Sequence, residues 1–159
     1  MDLNKFYTEN ETRDFELLKQ FNDKLQLNNL KRTNPKCEYD AEGTTFNNKD
    51  VAIELKYRDT DFNTENNTLY NSDEIIIEAH KYIDMLNISK FDNKIPLFIN
   101  FTKNGYKIVF NLDYLNVKPI KRFSYTKNPS YNSVEKEFKY FLNLKDAFIY
   151  DNNNKLVKH

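Results

Sequence analysis

Among its 159 residues the chain has no tryptophan, two glycines, four prolines, one cysteine and two histidines. So few glycines leave little room for a phosphate-cradling loop. Neither GxGxxG nor GxxxxGK(S/T) occurs, which excludes nucleotide sites of those kinds. Cys37 alone excludes an internal disulfide and a cysteine-ligated iron–sulfur cluster. His80 and His159 cannot supply a histidine-based triad, nor a zinc site without help from carboxylates. The sequence has neither an N-terminal apolar segment nor a long apolar run, which points to a soluble, cytoplasmic protein with no membrane partner.

What is present is aromatic and polar. Thirteen Phe and eleven Tyr supply apolar bulk for a core, and the length suits one domain over residues 1–150, with 151–159 as a polar tail. The 24 asparagines, with abundant Lys, Ile, Phe and Tyr, are residues of AT-rich codons and suggest a low-GC microbial or viral source. The formal net charge of zero hides an asymmetry. Residues 1–89 carry 11 Lys+Arg and 18 Asp+Glu, whereas residues 90–159 carry 13 and 6. An acidic half that could hold a metal and a basic half that could hold phosphates fit an enzyme of nucleic acids.

Thr8 and Glu11 have capping-box spacing, and Phe15, Leu18, Asn22 and Leu25 recur at helical intervals, which predicts a first helix over about 9–27. Residues 28–36 read as a loop, Glu38–Asp40 as a short strand before a turn at Gly43, and 50–58 as the strongest strand. The polar stretch 59–74 reads as a flexible loop beside the site. Ile75–Ile77 read as a short strand leading into a helix near Glu78, with Ala79, Tyr82, Ile83 and Leu86 on its buried face. Residues 95–101 predict a buried strand, Asn104-Gly105 a two-residue hairpin turn, and 106–110 the returning strand. The basic stretch 116–132 reads as a loop, 136–144 as a strand, and Asp146 as a helical turn. The implied fold class is α/β: a mixed central sheet flanked by helices.

The chemistry concentrates at Asp40 and, after thirteen intervening residues, Glu54-Leu55-Lys56. Strand alternation puts Glu54 and Lys56 on one face, with Val51, Ile53 and Leu55 on the other. A carboxylate and an ammonium on a half-buried strand are costly to desolvate, which favours a site over packing. Two acids, a strand carbonyl and a lysine are what metal-assisted phosphodiester cleavage needs: the acids hold a hard cation, and the lysine meets developing charge. Asp50, four residues before Glu54 at the start of the strand, is the weaker alternative to Asp40 as metal acid.

Asp40, Glu54-Leu55-Lys56-Tyr57-Arg58, Glu78-Ala79-His80-Lys81-Tyr82, the strand Pro96–Phe101 and the hairpin at Asn104-Gly105 together resemble the PD-(D/E)XK nuclease superfamily, the restriction-endonuclease-like fold. The likeness is to small phage and bacterial members. It covers roughly residues 10–112, and Leu142–Ala147 resembles their closing strand and turn. The residue before Asp40 is Tyr39 rather than proline, and Glu78 stands where exonuclease-like relatives carry glutamine.

The resemblance implies Mg²⁺-dependent hydrolysis of DNA, with Mn²⁺ able to substitute, in DNA processing, recombination or restriction. Asp40, Glu54 and the Leu55 carbonyl would ligate the ion, and Lys56 would orient water or stabilise the phosphate. Glu11, with Glu16 as the alternative, would be the acid from the first helix, and Lys81 would project towards the phosphate. Lys118, Lys121, Arg122 and Lys127 would contact nucleic acid. RNA as substrate and a homodimer stay open. The competing expectation is a non-catalytic binding or assembly protein that keeps the fold, with Glu54 and Lys56 as an ordinary cross-strand ion pair.

Overall fold

A computed structural model describes residues 3–128 and 133–158, the side chains at 3, 4, 6 and 126–128 excepted. The first helix, α1 (Leu3–Leu25), starts before the expected cap, and Thr8 lies inside it with its carbonyl accepting from the Thr12 hydroxyl. Nothing in residues 3–8 breaks a helix, so the capping-box spacing there marks no boundary. Asn22, expected in the apolar stripe, instead ends the helix. Its side-chain amide bonds both the N–H and the C=O of Leu27, at 3.1 and 3.0 Å, which turns the chain into a strand.

That strand, β1 (Asn28–Arg32), occupies the segment expected to be a loop. It pairs with β2 (Ala41–Thr44), and β2 pairs antiparallel with β3 (Asp50–Arg58). Gly43 lies inside β2, not in a turn; a Cβ there would meet Leu27 Cβ and the Asn28 carbonyl at 3.2 Å. Then come β4 (Glu74–Glu78), α2 (Ala79–Asp92), β5 (Ile95–Thr102) and β6 (Lys107–Asn111). β5 lies parallel to β3, with the crossover through β4 and α2. Lys103, Asn104 and Gly105 make a three-residue loop, one residue longer than expected, with Gly105 at φ 84°.

The chain ends in β7 (Ile120–Asn128), β8 (Ser133–Asn143), a 3₁₀ turn at Leu144–Asp146, β9 (Phe148–Tyr150) and β10 (Leu156–Lys158). The seven-stranded mixed sheet runs β1-β2-β3-β5-β6-β9-β10, and a second sheet runs β4-β8-β7. Two expectations are corrected here. The basic stretch after Pro119 is a strand rather than a loop, because it finds a full-length antiparallel partner in β8, with Phe123 directly opposite Phe138. Residues 151–159 are not simply a tail, since Leu156–Lys158 pair with β9.

Each face of the large sheet has its own core. Val51, Ile53, Leu55, Ile99 and Phe101 pack with Leu18 and Phe21 of α1. Ala52, Phe98, Ile108 and Phe110 pack with Tyr82, Met85 and Ile88 of α2 and with Ile75, Ile77 and Leu142 of the small sheet. The buried face of α2 is therefore Tyr82–Met85–Ile88, and Ile83, expected inside, is exposed. Residues 59–73 are also more ordered than expected. Phe62 and Leu69 are buried in the second core, and the Asn104 side chain bonds the Phe62 N–H and C=O. Six of the eight non-glycine residues with positive φ among the described residues are asparagines. Asparagine thus takes the left-handed positions that glycine fills elsewhere, a structural use of the Asn-rich composition.

Candidate active site

The site forms where β2 stops short of β3. The N–H of Asp40 donates to the Ile53 carbonyl at 2.9 Å, the last backbone link between the two strands. Asp40 itself sits in the irregular segment just before β2, not in the separate strand expected over 38–40. From Glu54 onward β3 has no backbone neighbour on that edge. The Leu55 N–H is met instead by Asp40 Oδ2 at 2.8 Å. A strand residue sends its N–H and C=O to the same edge, so the Leu55 carbonyl faces this opening too.

A cavity of about 540 Å³ wraps the exposed edge. Alternation puts Glu54, Lys56 and Arg58 on the α2 side of β3, and all three line the cavity together with Asp40, Lys81 and Asp14. Glu54 is 8% exposed. Lys81, reaching across from α2, donates to Glu54 Oε2 at 3.1 Å and to the Glu38 carbonyl at 3.3 Å. Lys56 is half-exposed, 4.0 Å from the Glu78 carboxylate.

The electrostatics are those of two acids in one small space. Burial and the Asp40 charge push the Glu54 carboxyl up to about 8 despite the Lys81 ammonium. Burial also raises Asp40, against the Leu55 N–H and a hydrogen bond with Glu54. Burial opposes the charge on Lys81, but the Glu54 and Asp40 carboxylates outweigh it and raise its pKa. Burial raises both carboxyls and the Asp40 charge raises Glu54 further, and a bound cation would relieve both effects. Among the described residues no group of three Asp, Glu, His or Cys side chains forms a ready metal cage. The donors available are two carboxylates and one strand carbonyl. That oxygen-only set suits a hard ion such as Mg²⁺ that retains several waters.

The helix acid needs a closer look. Glu11 lines the cavity but is held by Arg32 at 2.8 Å. Glu16 pairs with Lys19 at 2.6 Å and does not line the cavity. Asp14, which the sequence reading passed over, is the buried one, with a side chain 17% exposed. Burial raises it, against the adjacent Arg13 and Lys56, and it in turn acts on Asp40. Its signal was in the sequence: Asp14, Leu18 and Phe21 lie on one helical stripe, so the acid continues a buried face. Arg13 stacks on Tyr57 at 4.0 Å and fixes this part of α1 to the back of β3.

Of the four residues expected to contact nucleic acid, Lys118, Lys121 and Arg122 do not line the cavity. Lys118 is exposed before β7, and Lys121 lies over the Phe138 ring. Arg122 forks onto the Glu74 carboxylate at 2.7 and 3.2 Å. Lys127 is in β7, and its side chain lies outside the described residues.

No protein-family model and no curated protein sequence matches the chain. Among solved structures it is similar to the Archaeoglobus fulgidus Hjc, a Holliday junction resolvase from an archaeal hyperthermophile. The match has 10% identity and a TM-score of 0.49, and covers 82% of this chain and 84% of that one. Among the described residues no helix is long and apolar enough to cross a membrane.

Proposed function

We propose that the protein is a metal-dependent nuclease of the PD-(D/E)XK type that hydrolyses DNA phosphodiester bonds. One observation carries this reading. Asp40 and Glu54 lie together at the open edge of β3 with their pKa values raised by burial, one lysine bonded to Glu54 and a cavity in front. A purely structural acid pair would be matched cation for cation or exposed to water; here two acids share the one lysine and Glu54 is buried.

In this reading Asp40, Glu54 and the Leu55 carbonyl hold Mg²⁺, which Mn²⁺ can replace. The bound ion supplies Lewis acidity towards the phosphate and a water of lowered pKa. The chain's own residues do the rest. Lys81 holds the Glu54 carboxylate against α2 and offsets the charge of the acid pair. Lys56, two residues along the same face, presents its ammonium where the scissile phosphate gains negative charge. Its 4.0 Å contact with Glu78 is loose enough to be exchanged for a phosphate oxygen. Asp14 supports the acid cluster from the α1 side, the role the family resemblance would give to Glu11.

The test is nicking of supercoiled plasmid by purified protein in Mg²⁺ or Mn²⁺. The expected result is metal-dependent nicking by the wild type and none by Asp40→Ala or Glu54→Ala. Metal-independent nicking, or cleavage unchanged in either variant, would refute the assignment. Wild-type protein that binds DNA but leaves it intact in both metals would instead support a non-catalytic binding protein on the same fold.

A further inference from the structure

Beyond the acids and lysines that carry the proposed chemistry, the cavity holds a buried cation that this chemistry does not use. Arg58 is the third residue of the Glu54–Lys56–Arg58 row and is 7% exposed. Its Nε donates to Asn100 Oδ1 at 2.9 Å and its Nη2 to the Ile76 carbonyl at 2.6 Å. Both acceptors are neutral, and among the described residues no carboxylate lies within ion-pair distance. Glu78 acts on it only from further away, being engaged by Lys56 at 4.0 Å and His80 at 3.7 Å. Desolvation pulls the Arg58 pKa down to about 10, so the guanidinium stays charged near neutrality without a counter-ion. Buried charges are ordinarily paired, and an unpaired one beside a cavity invites an anion from outside.

Two neighbouring residues bear on this, Asn100 behind the cavity as the holder of the guanidinium and Lys139 on the cavity wall as a second cation. Asn100 is fully buried, and its Nδ2 has no hydrogen-bond partner. The Arg58 Nε–H fixes the amide so that this donor cannot be exchanged for the oxygen. Lys139, opposite Glu78 in the β4–β8 pair, lines the same cavity. Along β3, Arg58 lies about 7 Å beyond Lys56 and about 13 Å beyond Glu54. The acid pair is thus out of its reach, while the spacing of about 7 Å from Lys56, which meets the scissile phosphate, is comparable to one step along a nucleic-acid backbone.

We infer that Arg58 is a positioning residue that binds a non-scissile phosphate next to the one at the acid pair, using the Nη1 group left free for the cavity. The inference rests on the nuclease reading and adds to it a second phosphate subsite in the floor of the cleft. The competing role is a strut, since the bond to Ile76 ties the large sheet to the small one.

The experiment measures binding of a short DNA duplex in EDTA across a salt series, for wild type, Arg58→Met and Arg58→Lys, with thermal unfolding of each. Loss of one phosphate contact should lower the slope of log K against log salt by about one unit in Arg58→Met, with binding about tenfold weaker. Arg58→Lys keeps the charge and should keep the slope, although it loses both neutral bonds and some stability. A strut alone gives lower stability in both variants with the wild-type slope in both, and that result overturns the inference. If Arg58→Met does not fold, neutral methylphosphonate linkages placed singly along the duplex decide with wild type and Arg58→Lys. One flanking linkage should weaken wild-type binding and weaken Arg58→Lys by a different factor; equal responses at every linkage overturn the inference. If the wild type neither binds DNA with a salt dependence nor nicks it in Mg²⁺ or Mn²⁺, the nuclease reading fails and takes this subsite with it. A normal wild-type slope that Arg58→Met leaves unchanged defeats only the subsite.

Discussion

Glu42 and Glu54 lie on the same face of neighbouring strands, yet their carboxyls are driven in opposite directions. Glu42, opposite Ala52 in the β2–β3 pair, is bonded by Lys31 and Lys94 at 3.1 Å each and by the Tyr39 hydroxyl at 2.9 Å. Those partners hold it down at about 2. Glu54, two residues past Ala52 on β3, has Lys81 but also burial and Asp40, and rises to about 8. The first acid is satisfied by the protein; the second is left wanting a cation. Residue type and sheet face are the same, so the difference lies in the surroundings: Glu42 has paired strands on both sides, β1 and β3, whereas β2 has ended beside Glu54. A gap in the sheet makes the site.

If that contrast holds, the two glutamates should separate cleanly under mutation. Glu54→Ala, like Asp40→Ala, should reduce metal-dependent nicking to background, whereas Glu42→Ala should cleave at the wild-type rate. Equal losses would show that both acids serve the fold. Next in size, Lys81→Ala leaves the donors but frees the Glu54 side chain. Supporting residues of this kind typically contribute about 10- to 100-fold in metal affinity or activity, and the expected loss lies there, read from Mn²⁺ titration and nicking rate. Asp14→Asn should reduce nicking more than Glu16→Gln, which lies outside the cavity; the reverse order would move the helix acid back to the sequence-based choices.

Metal-free stability should show opposite pH dependences. An unfolded glutamate loses its proton near 4.5, whereas folded Glu54 keeps it to about 8. The folded state binds the extra proton in that window, so stability falls as pH rises from about 4.5 to about 8, and Glu54→Gln should remove this slope. For Glu42 the folded carboxyl is the stronger acid. Its contribution is complete above about 4.5 and is lost as pH falls towards about 2. The smallest effect belongs to Glu42→Ala at neutral pH, about 1 kcal/mol because its ion pairs are partly solvated. Denaturant unfolding across the pH range checks all three.

The strands that carry the site were legible because their patterns are local. Residues 50–58 alternate around an apolar side, and Ile95–Phe101 is a buried run with a turn signal after it. Asp40, Glu54 and Lys56 could be picked out since acids and a lysine on an apolar strand are unusual, and Lys81 because the helix after it could be phased. What sequence could not show was pairing. β1, β7 and β10 are polar strands stabilised by neighbours far along the chain, so they read as loops or tail. The α2 phase was misjudged because Met85 and Ile88 face a small sheet whose position only the tertiary structure sets. Asp14 was missed although it continues the Leu18–Phe21 stripe, because an acid on a buried face is ordinarily an end to that face. Arg58 was read only as part of the resemblance, since its burial depends on Asn100 and Ile76, 42 and 18 residues away.

Calorimetric titration of the metal-free protein with Mn²⁺ tests the shared-cation site most directly, with wild type, Asp40→Ala, Glu54→Ala and Glu42→Ala side by side. Saturable binding by wild type and Glu42→Ala, lost in both site variants, is the expected result. Binding that survives the removal of either Asp40 or Glu54, or no binding by any form, would contradict a metal held between these two acids.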